Sequence, residues 1–208
     1  MECVCRDETF EFMNVVVVFA HPSSDSFASA MYMRAVTTLN DVGHEVVAIP
    51  LYEEHFVAAM SRDEWKAYNS DIATLDPQVV RYAAAVQKAD ALIFIYPTWW
   101  SGLPSILKGW CDRVLVSGVA FTFDEAGKVK PSLGKVRHII GISTYGSPRT
   151  YIRFINDNGR RTIMRVLRLC TGFTTRTTWL GLYAISATSV EQREQFLDRI
   201  EATLRKLK

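Results

Sequence analysis

Three short segments carry residue types suited to recognising a ligand rather than filling a core. The first, His21-Pro-Ser-Ser-Asp-Ser26, crowds an imidazole and small hydroxyls just ahead of a helical pattern that begins at Phe27. Amides at a helix start are unpaired and lie at the positive end of its dipole, so such a segment can seat a phosphate. His21, Ser23 and Ser26 could add donors, although the same residues also read as a turn with Ser26 as a helix cap. The second, Tyr96-Pro-Thr-Trp-Trp-Ser-Gly-Leu-Pro104, sets two adjacent tryptophans between prolines and a glycine. On a loop the two indoles diverge, and at least one is expected beside a ligand. A flat apolar ring there suits stacking on a planar heteroaromatic such as an isoalloxazine, with backbone amides aimed at its polar edge; the alternative is that both rings plug the core. The third, Ile142-Ser-Thr-Tyr-Gly-Ser-Pro-Arg-Thr-Tyr151, again offers hydroxyls and a glycine. Tyr145 and Tyr151 are candidate donors to a ring or an acceptor, or else ordinary packing residues.

Other chemistries lack support. No GxGxxG or GKS/T motif is present, which argues against a dinucleotide fingerprint and a P-loop. No acidic pair follows the first apolar run, and Tyr96 rather than an aspartate ends the third, so a phosphoacceptor site is not expected. The four histidines, His21, His44, His55 and His138, suggest no nucleophile–base arrangement, and Cys3, Cys5, Cys111 and Cys170 match no zinc or CxxC spacing, so no metal is expected. A net charge of +2 from 24 basic and 22 acidic residues gives no footprint for nucleic acid. The opening MECVCRDETFEFM is too acidic for a signal peptide, and Val15–Ala20 is too short to span a bilayer. A reducing, cytoplasmic setting is expected, with residues 1–13 as a flexible tail and 14–208 as a single domain.

The elements that would position these segments follow from periodicity. Apolar runs at Val15–Ala20, His44–Leu51, Ala91–Tyr96, His138–Thr144 and about 174–183 read as strands. Helical patterns cover 27–41, a piece around Ser61–Tyr68, a capped start at Asp76-Pro77, a stretch from Pro104 to about Val116, 149–170 and Ser189–Lys206. Strands apolar throughout require cover on both faces, which points to an α/β doubly wound parallel sheet of five strands, order 2-1-3-4-5, with helices on both sides. In that class ligands bind beyond the carboxyl ends of the strands, where the three segments would lie.

The run Tyr96-Pro-Thr-Trp-Trp-Ser-Gly-Leu-Pro-Ser-Ile-Leu-Lys-Gly-Trp-Cys-Asp-Arg-Val114, followed by Gly118-Val-Ala-Phe-Thr-Phe123, resembles the flavodoxin-like NAD(P)H:quinone oxidoreductases of DT-diaphorase type, with weaker support from Ala20–Phe27. The resemblance implies a flavodoxin-like fold, FAD (FMN in some relatives), NAD(P)H as reductant, and a homodimer. It implies two-electron hydride transfer through flavin N5 to a quinone or similar aromatic acceptor in a ping-pong cycle. An azo- or nitro-reductase, or a carrier or regulatory flavoprotein, are the alternatives. By the same likeness His21, Ser26 and Phe27 would lie along the flavin phosphates. Pro97, Thr98, Trp99, Trp100 and Ser101 would line the isoalloxazine, and Ser143, Thr144, Gly146 and Tyr151 would meet its other side. The chain departs from the family at Ala28, where asparagine is usual, and at Tyr145, where a glycine is usual and a narrower pocket is expected. It also lacks the histidine that often follows the tyrosine; the position that fits by count is near Asp157.

Overall fold

The computed structural model describes residues 12–68, 76–172 and 174–207; Cys3, Cys5 and most of the expected tail lie outside them. In chain order the elements are β1 (Asn14–Phe19), α1 (Phe27–Val42), β2 (Glu45–Pro50), α2 (Arg62–Ala67), α3 (Pro77–Lys88), β3 (Ala91–Pro97) and α4 (Ser105–Val114). There follow β4 (Phe121–Phe123), β5 (Val129–Pro131), β6 (His138–Thr144), α5 (Arg149–Phe154), α6 (Asn158–Arg161), a π turn over Thr162–Val166, α7 (Leu167–Leu169), β7 (Arg176–Leu182) and α8 (Val190–Leu204). The main sheet is parallel, in the order β2-β1-β3-β6-β7. Leaving aside the small hairpin, this is the expected 2-1-3-4-5 arrangement of a flavodoxin-like fold.

Alternate residues of the central strands feed two cores, which is why those strands are apolar throughout. Val16, Val18, Leu92, Phe94 and Tyr96 pack with α3, α4 and the 158–169 run on one face. Val15, Val17, Phe19, Ile93 and Ile95 pack with α1 and α8 on the other. Met13 already belongs to this second core, and its carbonyl accepts the Glu45 N–H at 3.0 Å.

Helix starts are fixed by local chemistry. Ser26 caps α1 by accepting the Ser29 N–H, and Asp76 caps α3 with Pro77 at its first position. The antiparallel β4–β5 pair falls where the sequence reading assigned no element. Its strands of three residues are too short to show a period of two. The turn between them is held by Asp124, whose Oδ1 accepts the Ala126 and Lys128 amides, and by Gly127 at φ 74°.

Candidate functional site

The parallel register sets the ends of β1, β3 and β6 side by side, so the three loops meet along one crest of the sheet. The His21 and Trp99 rings lie 6.1 Å apart, joining the first loop to the second. The second is tied to the third by the Thr98 N–H donating to the Thr144 carbonyl at 2.8 Å and by a 2.9 Å bond between the Thr98 and Ser143 hydroxyls. Ser143 and Thr144 are buried, so they brace the crest rather than present hydroxyls to solvent.

In the first loop the Ser23 N–H donates to His21 Nδ1 at 3.0 Å. The same Nδ1 lies 3.1 Å from the Ser23 carbonyl oxygen, and in the tautomer in which Nδ1 accepts, Nε2 carries the proton and is left as a donor. The Ser26 hydroxyl is already committed: it donates to the Ser23 carbonyl at 2.9 Å and accepts the Ser29 N–H at 3.1 Å. The Phe27 and Ala28 amides have no acceptor among the described residues. Backbone N–H groups, rather than serine hydroxyls, are thus the donors left unpaired at this helix start, where the helix dipole favours an anion. The Phe27 ring leans away, 6.4 Å from Phe196 and beneath the Arg193 guanidinium.

In the second loop Trp99-Trp-Ser-Gly102 is a tight turn closed by the Gly102 N–H on the Trp99 carbonyl at 2.9 Å. Both central residues are left-handed, Trp100 at φ 48° and Ser101 at φ 58°. That region costs a residue with a side chain about 1 kcal/mol or more, and such strain gathers at ligand sites. Neither ring plugs the core: Trp99 is 40% exposed and Trp100 is 101% exposed. Pro97, by contrast, is buried at the end of β3.

The third loop separates its two tyrosines. Tyr151 stands half exposed in the first turn of α5. Tyr145 is buried; its ring stacks on Tyr183 at 4.5 Å and meets Trp179 edge-on. Its hydroxyl donates to both Asp157 carboxylate oxygens, at 3.1 and 3.0 Å. Tyr145 therefore forms a wall behind the crest instead of narrowing the crevice. The carboxylate that lies where a partner for Tyr151 was sought belongs to Tyr145. Burial, then the Asp157 charge, pushes the Tyr145 hydroxyl far above its ordinary value. Burial also raises the Asp157 carboxyl, against the lowering by Tyr145 and the neighbouring Arg160 and Arg161. Replacing Tyr145 with phenylalanine should cost about 1–3 kcal/mol by stranding Asp157, read as a lower urea midpoint; an unchanged midpoint would show that Asp157 is rehydrated without loss. At Gly146 the space is open, since an added Cβ would meet nothing within 4 Å.

Cys111 and Cys170 are free and packed beside the first core. Burial pushes the Cys111 thiol up to about 12 and raises that of Cys170, so neither offers a thiolate nucleophile at neutral pH. No helix among the described residues is long and apolar enough to cross a membrane. One feature escaped the sequence reading: a cavity of about 490 Å³ behind the third loop is lined by six arginines. The near-neutral total charge conceals it.

A family model of the flavodoxin-like fold matches residues 13–207. NAD(P)H dehydrogenase (quinone) 1 of Rattus norvegicus is 33% identical over 151 residues, covering 65% of this chain and 55% of its own length. Ribosyldihydronicotinamide dehydrogenase (quinone) of the same species is 30% identical over 159 residues, covering 67% of this chain and 66% of its own. The chain thus spans little more than half the length of the first of these relatives. Among solved structures, an NAD(P)H:quinone oxidoreductase from Methanothermobacter marburgensis superimposes with a TM-score of 0.81 at 26% identity, covering 95% of this chain and all of that one.

Proposed function

The chain belongs to the flavodoxin-like family along residues 13–207, and from that premise we propose that it is a flavin-dependent NAD(P)H oxidoreductase reducing quinones or similar small aromatic acceptors by two electrons. The observation that carries this reading is the solvent-facing indole pair on a strained left-handed turn, beside an anion seat at a helix start. FAD is the expected cofactor, with FMN as the shorter alternative. Its phosphates would be held by the Phe27 and Ala28 amides and by His21 Nε2. Its ring would be met by the Trp99 and Trp100 indoles and by the backbone of Trp99–Ser101.

A bound flavin supplies hydride acceptance from the nicotinamide and hydride donation to the acceptor. The chain supplies position and charge complementarity. The Gly146 backbone leaves room at the third loop, and the exposed Tyr151 hydroxyl would donate to negative charge that builds at the ring edge. The exposed Phe154, Val166 and Leu169 on α5 to α7 suit a contact with a second copy, in keeping with a homodimer.

Titration of the purified protein with FAD and with FMN, followed by absorbance and by NAD(P)H turnover with menadione, tests the reading. Uptake of one flavin with turnover is expected; protein that takes up neither would end it. Replacing Trp100 with alanine should weaken flavin affinity about tenfold, from one lost stacking contact. Because the ring is wholly exposed, the urea midpoint should not move. A folding loss with unchanged flavin affinity would contradict both expectations.

A further inference from the structure

Of the chain's 24 basic residues, seven are arginines between Arg149 and Arg176, and of its 22 acidic residues only Asp157 lies in that stretch. The segment is therefore +6 and the rest of the chain −4, which together give the bland total of +2. Folding concentrates the charge further. Arg149, Arg153, Arg160, Arg161, Arg165 and Arg168 all line one cavity of about 490 Å³, bounded by α5, the 158–169 run and β7. Two guanidiniums are held on aromatic faces, Arg149 over Tyr183 at 6.0 Å and Arg160 over Trp179 at 5.9 Å.

Among the described residues five of these cations, Arg168 aside, meet little counter-charge. Asp157 is the only carboxylate among the described residues lining the cavity, and both of its oxygens accept the Tyr145 hydroxyl. Among the described residues Arg149, Arg153, Arg160, Arg161 and Arg165 make no ion pair, whereas Arg34, Arg81, Arg113 and Arg205 elsewhere each do. Arg149 and Arg153 are four residues apart on one helix, and Arg161 and Arg165 repeat that spacing, so like charges face one another. The π turn at Thr162–Val166 lies within this run, a distortion that favours functional sites. Several guanidinium forks around a concave space match the oxygens of a phosphate monoester, each able to bond it bidentately. The volume suits one nucleotide-sized ligand and not a polymer.

The cavity shares a wall with the crest. Arg149 belongs to the third segment and opens α5, and Tyr183 and Asp157 both contact Tyr145. Resting on the oxidoreductase reading above, the geometry points to this cavity as the seat of the reductant's ribose 2′-phosphate, so that the enzyme selects NADPH over NADH. The selection is electrostatic: the monoester is the group by which the two reductants differ, and it brings close to two negative charges into a space that already holds six positive ones.

The test uses the flavin-loaded protein and the double variant R161Q/R165Q, with R153Q on the neighbouring helix as a second, milder variant. Wild type should favour NADPH over NADH in kcat/KM by at least tenfold. R161Q/R165Q should lower kcat/KM for NADPH about thirtyfold and that for NADH less than threefold; R153Q should give a smaller change in the same direction. Equal kcat/KM for the two reductants in wild type, or equal losses in the variants, would overturn the assignment. Calorimetry gives a readout independent of turnover. Wild type should bind adenosine 2′,5′-bisphosphate at least ten times more tightly than adenosine 5′-monophosphate, and R161Q/R165Q should abolish the difference. Absence of that preference, or equal competition by inorganic phosphate at the same concentration, would also overturn it. If the protein took up no flavin, the activity reading would fall, and the calorimetric result would still decide whether the cavity recognises the phosphate.

Discussion

Replacing Arg113 with methionine should lower folding stability by about 3–5 kcal/mol, the usual loss when one member of a buried charge cluster is removed. Arg113 is 4% exposed. Its Nε donates to Glu64 Oε1 at 2.8 Å, a terminal nitrogen reaches Asp76 Oδ2 at 2.6 Å, and the other donates to the Val57 carbonyl. The guanidinium also sits 5.0 Å over the Phe56 ring. One side chain of α4 thereby ties down the 56–64 segment and the cap of α3. Methionine would fill much of the volume but leave Glu64, itself buried, with an uncompensated charge. Lysine should fall between the two, because an ammonium cannot span the fork.

The same contacts set a pH signature. Burial alone would raise the Glu64 and Asp76 carboxyls, yet the Arg113 hydrogen bonds prevail and hold both below their ordinary values of 4.5 and 3.8. A depressed folded value contributes stability above the unfolded value and loses it as pH falls through the folded one. The gap between wild type and Arg113→Met should therefore be widest near pH 7 and narrow below about 4.5. Urea denaturation at both pH values measures it. A constant gap, or one under 1 kcal/mol at pH 7, would mean that solvent reaches Glu64 once the arginine is gone.

Arg113 and Gly109 both lie in the most specific stretch of the sequence, but their roles were not readable there. What was readable is whatever burial on two faces imposes locally. Ala91–Pro97 and His138–Thr144 are apolar runs because each strand feeds two cores, so both were legible to within a residue. Caps at Ser26 and Asp76 were legible because a capping side chain bonds within three residues of itself. Exposure of an indole was anticipated from two adjacent tryptophans on a loop, whereas the left-handed turn beneath them was not, since its usual marker, Asn-Gly or Asp-Gly, is absent. The pairing of Tyr145 with Asp157 depends on how the chain breaks between α5 and α6, where Asn156 and Asp157 are both left-handed. The arginine cavity was missed for an arithmetical reason: acidic residues elsewhere cancel it in the total.

Gly109→Ala is expected to destabilise the protein by about 3 kcal/mol, at the upper end of ordinary overpacking. On helix propensity alone the substitution would help, because glycine inside a helix costs about 1 kcal/mol relative to alanine. Tertiary contact reverses the sign. A Cβ at Gly109 would stand 2.2 Å from the Ala58 carbonyl oxygen and 2.6 Å from its Cα. Both are backbone atoms, so no rotamer change relieves the clash, and either α4 or the 57–58 segment must shift. On one side α4 carries Leu107 and Trp110 into the first core; on the other, Val57 is held by Arg113. A shift of α4 would also drag the turn at Trp100 and Ser101, which ends four residues before the helix starts at Ser105, so flavin affinity should fall together with stability. The two substitutions strain one contact, and Gly109→Ala combined with Arg113→Met should cost less than the sum of the single losses. A higher melting temperature for Gly109→Ala would show that propensity dominates and that α4 does not lie against the Ala58 backbone.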